Sequence, residues 1–170
     1  MTDATRLLLA AQDGDPEAFA RFVASTSTDV ARYCHYLGDV DHVDDLVQDT
    51  FLRALRSLHT FSGDSDGRRW LLSIARRACA DAVEHRRRSR RTELTRRPVH
   101  DHATLTELEL LIDDLPDDQR DAFVLTRILG YRYEEAADLC GCPIGTIRSR
   151  VARARMALAT AVDRRSGRAV

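Results

Sequence analysis

The sequence predicts an all-α protein with two small helical domains joined by a flexible linker, the second of which contains a helix-turn-helix. Apolar residues recur at helical spacing nearly throughout the 170 residues, and no run alternates in the way of a strand. Residues 92–104 lose this periodicity and contain Pro98, which is typical of a linker. We therefore expect one domain over 1–91 and another over 105–163.

In the first domain, one helix is expected to begin near Asp15 and Pro16, which suit the cap and the first position inside a helix. A second helix over 41–58 and a long one over 68–90 are separated by a polar, glycine-bearing loop at 60–67. The apolar spacing assigns the inward face of the second helix to Val43, Leu46, Val47, Phe51, Ala54 and Leu58. The inward residues of the long helix are Leu71, Ile74, Ala75, Ala78, Cys79 and Ala82.

The second domain is expected to hold four helices, and the last two form the helix-turn-helix. Their predicted ranges are 105–114, 117–129, 133–140 and 144–163, followed by a disordered tail at 164–170. Gly141 stands where a close turn needs a residue without a Cβ, and Pro143 can open the next helix because it lacks an N–H. Spacings of three and four residues predict a buried stripe of Ile144, Ile147, Val151, Ala154 and Leu158.

Charge is distributed in four blocks of alternating sign, although the net charge is only −1. Residues 1–67 carry a net −7, residues 68–97 a net +8, residues 98–147 a net −8 and residues 148–170 a net +6. All 26 positively charged residues are arginine and none is lysine, a choice that suits bidentate contacts with phosphate and guanine. The basic blocks are candidate nucleic-acid surfaces, and the first acidic block is a candidate protein-docking surface.

The sequence predicts a cytoplasmic protein without direct membrane insertion, because no apolar run reaches the length of a membrane span and no signal peptide opens the chain. A metal-dependent enzyme would have to use His100, Asp101 and His102, or else Cys140 and Cys142 together with Cys34 and His35. The first three lie in the predicted linker, however, and Cys140 and Cys142 lack a second pair at zinc spacing. We therefore predict no metal site, no cofactor and no enzymatic activity.

The helix over 144–163 is predicted to bind DNA. Opposite its buried stripe lie mainly small or polar residues with arginines on both flanks, namely Thr146, Ser149, Ala152 and Arg153 outward and Arg148 and Arg150 at the sides. Small side chains allow a helix to enter the major groove, where arginines can bind guanine or phosphate. The alternative is a solvated amphipathic helix, for which the turn chemistry and the arginines would coincide by accident.

Two features of the first domain predict further contacts. The outward face of the 41–58 helix surrounds a lone leucine with polar residues, as in a protein-binding spot, and comprises Asp45, Gln48, Asp49, Leu52 and Arg56. The 60–67 loop is followed directly by Arg68, Arg69 and Trp70, and cations beside an aromatic ring suit the capture of an unstacked base. The alternatives are an incidental exposed leucine and a tryptophan that packs in the core.

Four segments resemble the extracytoplasmic-function (group IV) sigma factors, the two-domain initiation subunits of bacterial RNA polymerase. They are DHVDDLVQDTFLRAL at 41–55, FSGDSDGRRWLLSIARRACAD at 61–81, LPDDQRDAFVL at 115–125 and YRYEEAADLCGCPIGTIRSRVARAR at 131–155. All four occur in the order expected of the family. The resemblance extends over nearly the whole chain and implies a sigma region 2 domain at 1–91 and a region 4 domain at 105–163.

The resemblance also implies which residues meet each partner. The clamp helices of the beta-prime subunit of core polymerase would meet Asp45, Gln48, Asp49, Leu52 and Arg56, and the beta subunit is a further partner. Recognition and melting of the minus-10 element, with its single-stranded DNA, would involve Phe61, Ser62, Asp64, Arg68, Arg69, Trp70, Arg76 and Arg77. At the double-stranded minus-35 element, bases would be contacted by Arg148 and Ser149, and phosphates by Arg150 and Arg153. The interface would also include Thr146 and Ala152.

Two positions depart from the family's usual pattern and add positive charge. Where relatives often have a small polar residue before the tryptophan and an asparagine after the alanine–arginine pair, this chain has Arg69 and Arg77. The minus-10 contacts therefore cannot be copied from a relative. The family also implies an anti-sigma protein as a partner. A stand-alone helix-turn-helix regulator is the alternative function, although the sequence predicts no dedicated dimerisation helix or effector pocket.

Overall fold

The computed structural model describes residues 1–38, 40–92 and 106–166, and these form helices and turns without a strand, which confirms the all-α prediction. The chain divides into two compact units, Met1–Arg88 and Ser89–Val170. Most of the predicted linker lies outside the described residues. In the ranges that the structure describes, no helix combines the length and the apolar character that a bilayer span requires.

The first unit is built from four α-helices and two single turns of 3-10 helix among the described residues. In order these are α1 (Asp3–Gln12), α2 (Ala18–Leu37), the turn Val40–His42, α3 (Val43–Ser57), the turn Leu58–Thr60 and α4 (Gly67–Thr92). Their apolar faces meet in one core, whose largest fully buried side chains include Leu8, Phe22, Val30, Tyr33, Leu71 and Leu72. The three helices predicted in this unit are present, and α1 is an additional one.

Helix starts follow the capping signals in the sequence with small shifts. The Asp15 carboxylate accepts hydrogen bonds from the backbone N–H groups of Glu17 (2.9 Å) and Ala18 (3.2 Å), so it caps the turn that leads into α2. The helix predicted from Asp41 begins at Val43 as an α-helix, because a turn of 3-10 helix comes first.

The buried face of α3 differs in part from the predicted stripe. Leu46 and Ala54 are buried as expected, but Thr50 is buried as well. The Thr50 hydroxyl donates to the Leu46 carbonyl at 2.7 Å, so a polar side chain is accommodated in the core without an unpaired donor. The predicted core residues of α3 that are only half-buried are Val43, Val47 and Phe51.

Two thiols meet in the core of the first unit. Cys34 on α2 and Cys79 on α4 are buried and not in a disulfide, and their Sγ atoms are 3.7 Å apart. The hydrogen bond with Cys79 lowers the pKa of the Cys34 thiol, although burial acts in the opposite direction. The pair joins α2 to α4 as small core residues would.

The second unit contains α5 (Glu107–Asp113), α6 (Asp117–Phe123), a π-helical turn (Val124–Ile128), α7 (Tyr133–Cys140) and α8 (Ile144–Ser166). The predicted helix 133–140 is confirmed at both ends, while the second half of the predicted 117–129 helix is π-helical. The predicted disordered tail is wrong for its first three residues, because α8 continues to Ser166. Residues 167–170 lie outside the described residues.

Candidate functional sites

The turn between α7 and α8 has the geometry of a helix-turn-helix. Gly141 adopts a left-handed conformation (φ +62°) that ends α7, and the Cys142 N–H donates to the Ala137 carbonyl at 3.1 Å. The Pro143 carbonyl accepts from the Thr146 N–H at 2.9 Å and so begins the hydrogen bonding of α8. The predicted turn chemistry is present, and it fixes the direction in which α8 leaves the turn.

Helix α8 buries one face and exposes the other, as its spacing predicts. Ile147, Val151, Ala154 and Leu158 are buried, and Ile144 is half-buried. Among the residues predicted to contact DNA, the exposed ones are Arg148, Ser149, Ala152 and Arg153, and the half-buried ones are Thr146 and Arg150. A strip of small and cationic side chains therefore runs along the accessible side of the helix.

The arginines of α8 differ in what they already bind. The Arg150 Nε donates to Asp118 on α6 at 3.0 Å, and its Nη1 donates to the Cys142 sulfur at 3.5 Å. Arg148 and Arg153 form no side-chain ion pair with another residue that the structure describes. Arg150 thus ties α8 to α6 and to the turn, whereas the other two guanidinium groups are available to a ligand.

The outward face of α3 is apolar at its centre and charged around it. Leu52 is 44% exposed and Leu55 is 50% exposed. The exposed polar residues on this face include Asp45, Gln48 and Arg56. The prediction of a lone leucine is wrong, since Leu55 lies three residues after Leu52 and therefore on the same side of the helix. That spacing is the sequence signal that identifies Leu55.

Asp49 has a different environment from the other residues predicted on this face. It is half-buried, and its carboxylate forms an ion pair with Arg53 at 2.8 Å. Arg53 also donates to Asp81 on α4 at 2.6 Å, and this hydrogen bond raises the pKa of the Arg53 guanidinium. Asp49 therefore belongs to a chain of charges that joins α3 to α4 beside the exposed leucines.

Phe61, near the start of the 60–67 loop predicted to capture a base, packs against Trp70, which follows the loop. Their ring centroids are 5.2 Å apart. Phe61 is only 4% exposed, whereas Trp70 is half-buried. Phe61 thus supports the indole ring from the core and does not reach the surface itself. Two residues between Phe61 and Trp70 in the sequence, Ser62 and Asp64, are exposed.

The cations of this region differ in exposure and in their contacts. Arg68 is exposed, and its guanidinium lies 3.4 Å from the Asp29 carboxylate and 3.3 Å from the Ser25 carbonyl, both on α2. Arg77 is exposed as well. The half-buried cations, which have interactions of their own, are Arg69 and Arg76. Exposed ion pairs contribute little free energy, so a phosphate can replace the Asp29 contact at small cost.

The cysteines of the second unit make contacts within that unit. Cys140 donates to the Asp121 carboxylate at 3.6 Å, and Cys142 accepts from Arg150. Across the described ranges, no three His, Cys, Asp or Glu side chains are grouped so that they could hold a metal ion. The motif formed by His100, Asp101 and His102 lies outside those ranges.

Two family models match the chain, one for each unit. The model described as Sigma-70 region 2 matches residues 12–91, which include α3, the 60–67 loop and most of α4. The model described as Sigma-70, region 4 matches residues 105–158, which include the helix-turn-helix. Each of the surfaces described above therefore lies within a matched region.

Curated proteins with similar sequences are RNA polymerase sigma factors. The probable RNA polymerase sigma-C factor of Mycobacterium bovis is 48% identical over 163 residues, which cover 91% of this chain and 88% of the relative. The ECF RNA polymerase sigma factor EcfG of Rhodopseudomonas palustris is 40% identical over 129 residues, which cover 71% of each chain.

Solved structures with a similar fold come from complexes. CnrH, in a complex with the cytosolic domain of CnrY, is 29% identical with a TM-score of 0.78, and the match covers 95% of this chain and 98% of CnrH. The sigma factor RpoE of Bartonella quintana, in a complex with the anti-sigma factor NepR, is 28% identical with a TM-score of 0.76, covering 86% of this chain and 98% of RpoE.

Proposed function

Because the chain belongs to the sigma-70 family, and within it to the ECF RNA polymerase sigma factors, we propose that its three surfaces divide the steps of transcription initiation. α3 docks on core polymerase, the 60–67 loop and α4 open the minus-10 element, and α8 reads the minus-35 element. The observation that carries the proposal is the exposed strip of α8. There, the exposed Arg148 and Arg153 have no ion pair with a described residue, while the buried apolar stripe faces the core.

At the minus-35 element, the exposed strip of α8 enters the major groove. Ser149 and Ala152 are small enough to let the helix approach the bases, and the Arg148 guanidinium can donate two hydrogen bonds to one guanine. Arg153 binds a phosphate. Arg150 is already held by Asp118 and Cys142, so its first role is to fix the orientation of α8.

At the minus-10 element, the loop and the start of α4 hold single-stranded DNA. The Trp70 ring, supported by Phe61, offers a surface on which a base can stack, and such stacking contributes about 1–3 kcal/mol per base. Ser62 and Asp64 are exposed beside it and can bind the edge of a flipped base. The backbone phosphates are held by Arg68, Arg69, Arg76 and Arg77.

Core polymerase is bound by the α3 face, which inserts Leu52 and Leu55 between the clamp helices of the beta-prime subunit. Exposed leucines at the centre of a charged rim have the composition of an interface hot spot. Asp45, Gln48 and Arg56 form the rim, with Asp49 at its border. Further contacts are made with the beta subunit.

An anti-sigma protein is a further partner in this proposal. Its support is that CnrH was solved with the cytosolic domain of CnrY, and RpoE with the anti-sigma factor NepR. The complete cycle of binding and release takes place in the cytoplasm, where bacterial RNA polymerase meets the chromosome. The protein contributes binding free energy to initiation and performs no covalent step.

Reconstitution distinguishes this function from that of a stand-alone regulator. Purified protein and sigma-free core polymerase should co-elute from a gel-filtration column, and the complex should start transcripts at discrete positions on duplex DNA. A regulator would bind DNA without giving core polymerase that ability. Absence of a complex would contradict the docking role, and a complex without discrete starts would contradict the DNA-reading roles.

A further inference from the structure

Helix α1 lies against the predicted base-capture loop along the length of that loop. Thr5, Leu9 and Gln12 follow one another at spacings of four and three residues, so they share one side of the helix. Each of them lies against the segment 58–67, whose last residue, Gly67, is also the first residue of α4. None of the DNA or polymerase contacts proposed above involves them, and the region 2 match begins only at residue 12.

Gln12 holds the beginning of the loop. Its side-chain amide donates to the Leu58 carbonyl at 2.6 Å and to the Phe61 carbonyl at 2.9 Å. An amide has two N–H donors, so one side chain can satisfy both carbonyls. Phe61 is the residue whose ring supports Trp70. The Gln12 amide therefore fixes the backbone at the point where the stacking surface originates.

Thr5 holds the end of the loop. The side chain is buried, its hydroxyl oxygen accepts from the Gly67 N–H at 3.0 Å, and it lies 3.5 Å from the Ser65 carbonyl. Gly67 is the first residue of α4, and a Cβ there would lie 2.9 Å from the backbone of Ala4. The start of α4 is thus in close contact with α1, and Thr5 determines where the loop rejoins a helix.

Leu9 supports the middle of the loop between these two hydrogen-bonded ends. A Cβ on Gly63 would lie 3.4 Å from both terminal methyl groups of Leu9, which is ordinary van der Waals contact. Gly63 has a φ of +79°, a conformation that favours glycine. The loop therefore turns at Gly63, next to an apolar side chain of α1.

We propose that Thr5, Leu9 and Gln12 are positioning residues, which hold the segment 58–67 in the shape that captures a flipped minus-10 base. This role depends on the proposed function of the loop and extends base selectivity to a helix that does not touch DNA. A short polar loop that is held in one conformation avoids the entropy cost of ordering when the base binds. Selectivity among bases follows, because the groups that bind the base edge keep a fixed position.

The experiment measures how well the holoenzyme distinguishes bases at the flipped position. Fluorescent single-stranded minus-10 oligonucleotides with each of the four bases are titrated with holoenzyme that contains wild-type protein, Gln12→Met or Asp13→Ala. Gln12→Met keeps the length of an exposed side chain but removes both donors. Asp13 is an exposed neighbour whose side chain forms no hydrogen bond with a described residue, so it provides the matched control.

We expect Gln12→Met to lower the ratio of the affinities for the best and the worst base about two- to tenfold, the range that follows from losing hydrogen bonds of ordinary strength. Binding to a duplex minus-35 element should stay unchanged, and Asp13→Ala should match wild type. An unchanged ratio would overturn the proposal, and so would an equal loss for all four bases, which indicates a merely structural role.

Thr5, which is buried, allows a second, independent measurement. Thr5→Val removes the hydroxyl, whereas Thr5→Ser keeps it, so serine should retain the base ratio of wild type and valine should not. Equal ratios for the two variants would contradict the positioning role of Thr5. A wild-type holoenzyme without any base preference would instead overturn the proposed function of the loop, a failure that is visible before any variant is made.

Discussion

Arg148, Arg150 and Arg153 lie within six residues of one helix, yet their surroundings assign them different roles. Arg150 is bound to a carboxylate on α6 and to a sulfur in the turn, whereas the other two project from the exposed face. A guanidinium that already has protein partners gains less binding free energy from a new ligand than one that is hydrogen-bonded only to water. Substitutions of the three residues should therefore have different effects.

Arg148→Ala should reduce discrimination at one base pair of the minus-35 element by ~1–3 kcal/mol, because a bidentate arginine–guanine contact has that magnitude. The measurement is promoter competition by holoenzyme across a set of minus-35 sequences that each carry one substitution. An equal loss on every sequence would show that Arg148 binds phosphate and reads no base.

Arg150→Ala should lower the free energy of unfolding of the second unit by about 0.5–1 kcal/mol, since the lost ion pair is partly exposed. Arg153→Ala, its matched control, should leave stability unchanged and reduce the salt slope of DNA binding by about one. Urea unfolding, monitored by circular dichroism, measures the stability of each variant. DNA titrations at several salt concentrations measure the salt slope. Destabilisation by Arg153→Ala alone would reverse the two assignments.

At the scale of elements, periodicity predicts what one helix can reveal by itself. The stripe of Ile147, Val151, Ala154 and Leu158 is buried because apolar residues at spacings of three and four can only lie on one side. Thr50 was missed because its burial depends on a hydroxyl that bonds its own helix. The residue type alone does not show that the hydroxyl has a hydrogen-bond acceptor within its own helix.

Contacts between distant residues leave no local signal in the sequence. Arg150 meets Asp118 across 32 positions, and Gln12 meets Leu58 across 46. Neither residue type nor spacing predicts such pairs, because the packing of whole helices brings them together. This is why the sequence predicts which face of α8 is exposed but not the contacts of α1 with the 60–67 loop, nor which arginine of α8 is already engaged.

The double variant Leu52→Asp, Leu55→Asp should abolish binding to core polymerase, because truncation at the centre of an interface costs about 2 kcal/mol or more per residue. Folding should be unaffected, since both side chains are about half exposed and neither lies in the core. Competition against labelled wild-type protein for core polymerase measures the loss, and circular dichroism checks the fold. Ala24→Asp, Thr28→Asp, at two exposed positions on α2, adds the same two charges as a control. Retained binding by the double variant would reject the docking face.

At the scale of the whole molecule, charge blocks of −7, +8, −8 and +6 combine strong local fields with a net charge of only −1. Free protein should therefore bind promoter DNA weakly, because long-range attraction to phosphates is cancelled between blocks. Holoenzyme should bind the same DNA much more tightly. Electrophoretic mobility shifts with and without core polymerase compare the two, and tight promoter-specific binding by the free protein would contradict this view.

The central claim is that this chain directs core polymerase to promoters of its own. Genomic DNA transcribed in vitro by core polymerase with and without the protein, followed by sequencing of transcript 5′ ends, tests it most directly. We predict a set of starts found only with the protein, preceded by two shared sequence elements at a fixed spacing. Starts that are the same with and without the protein would contradict the claim.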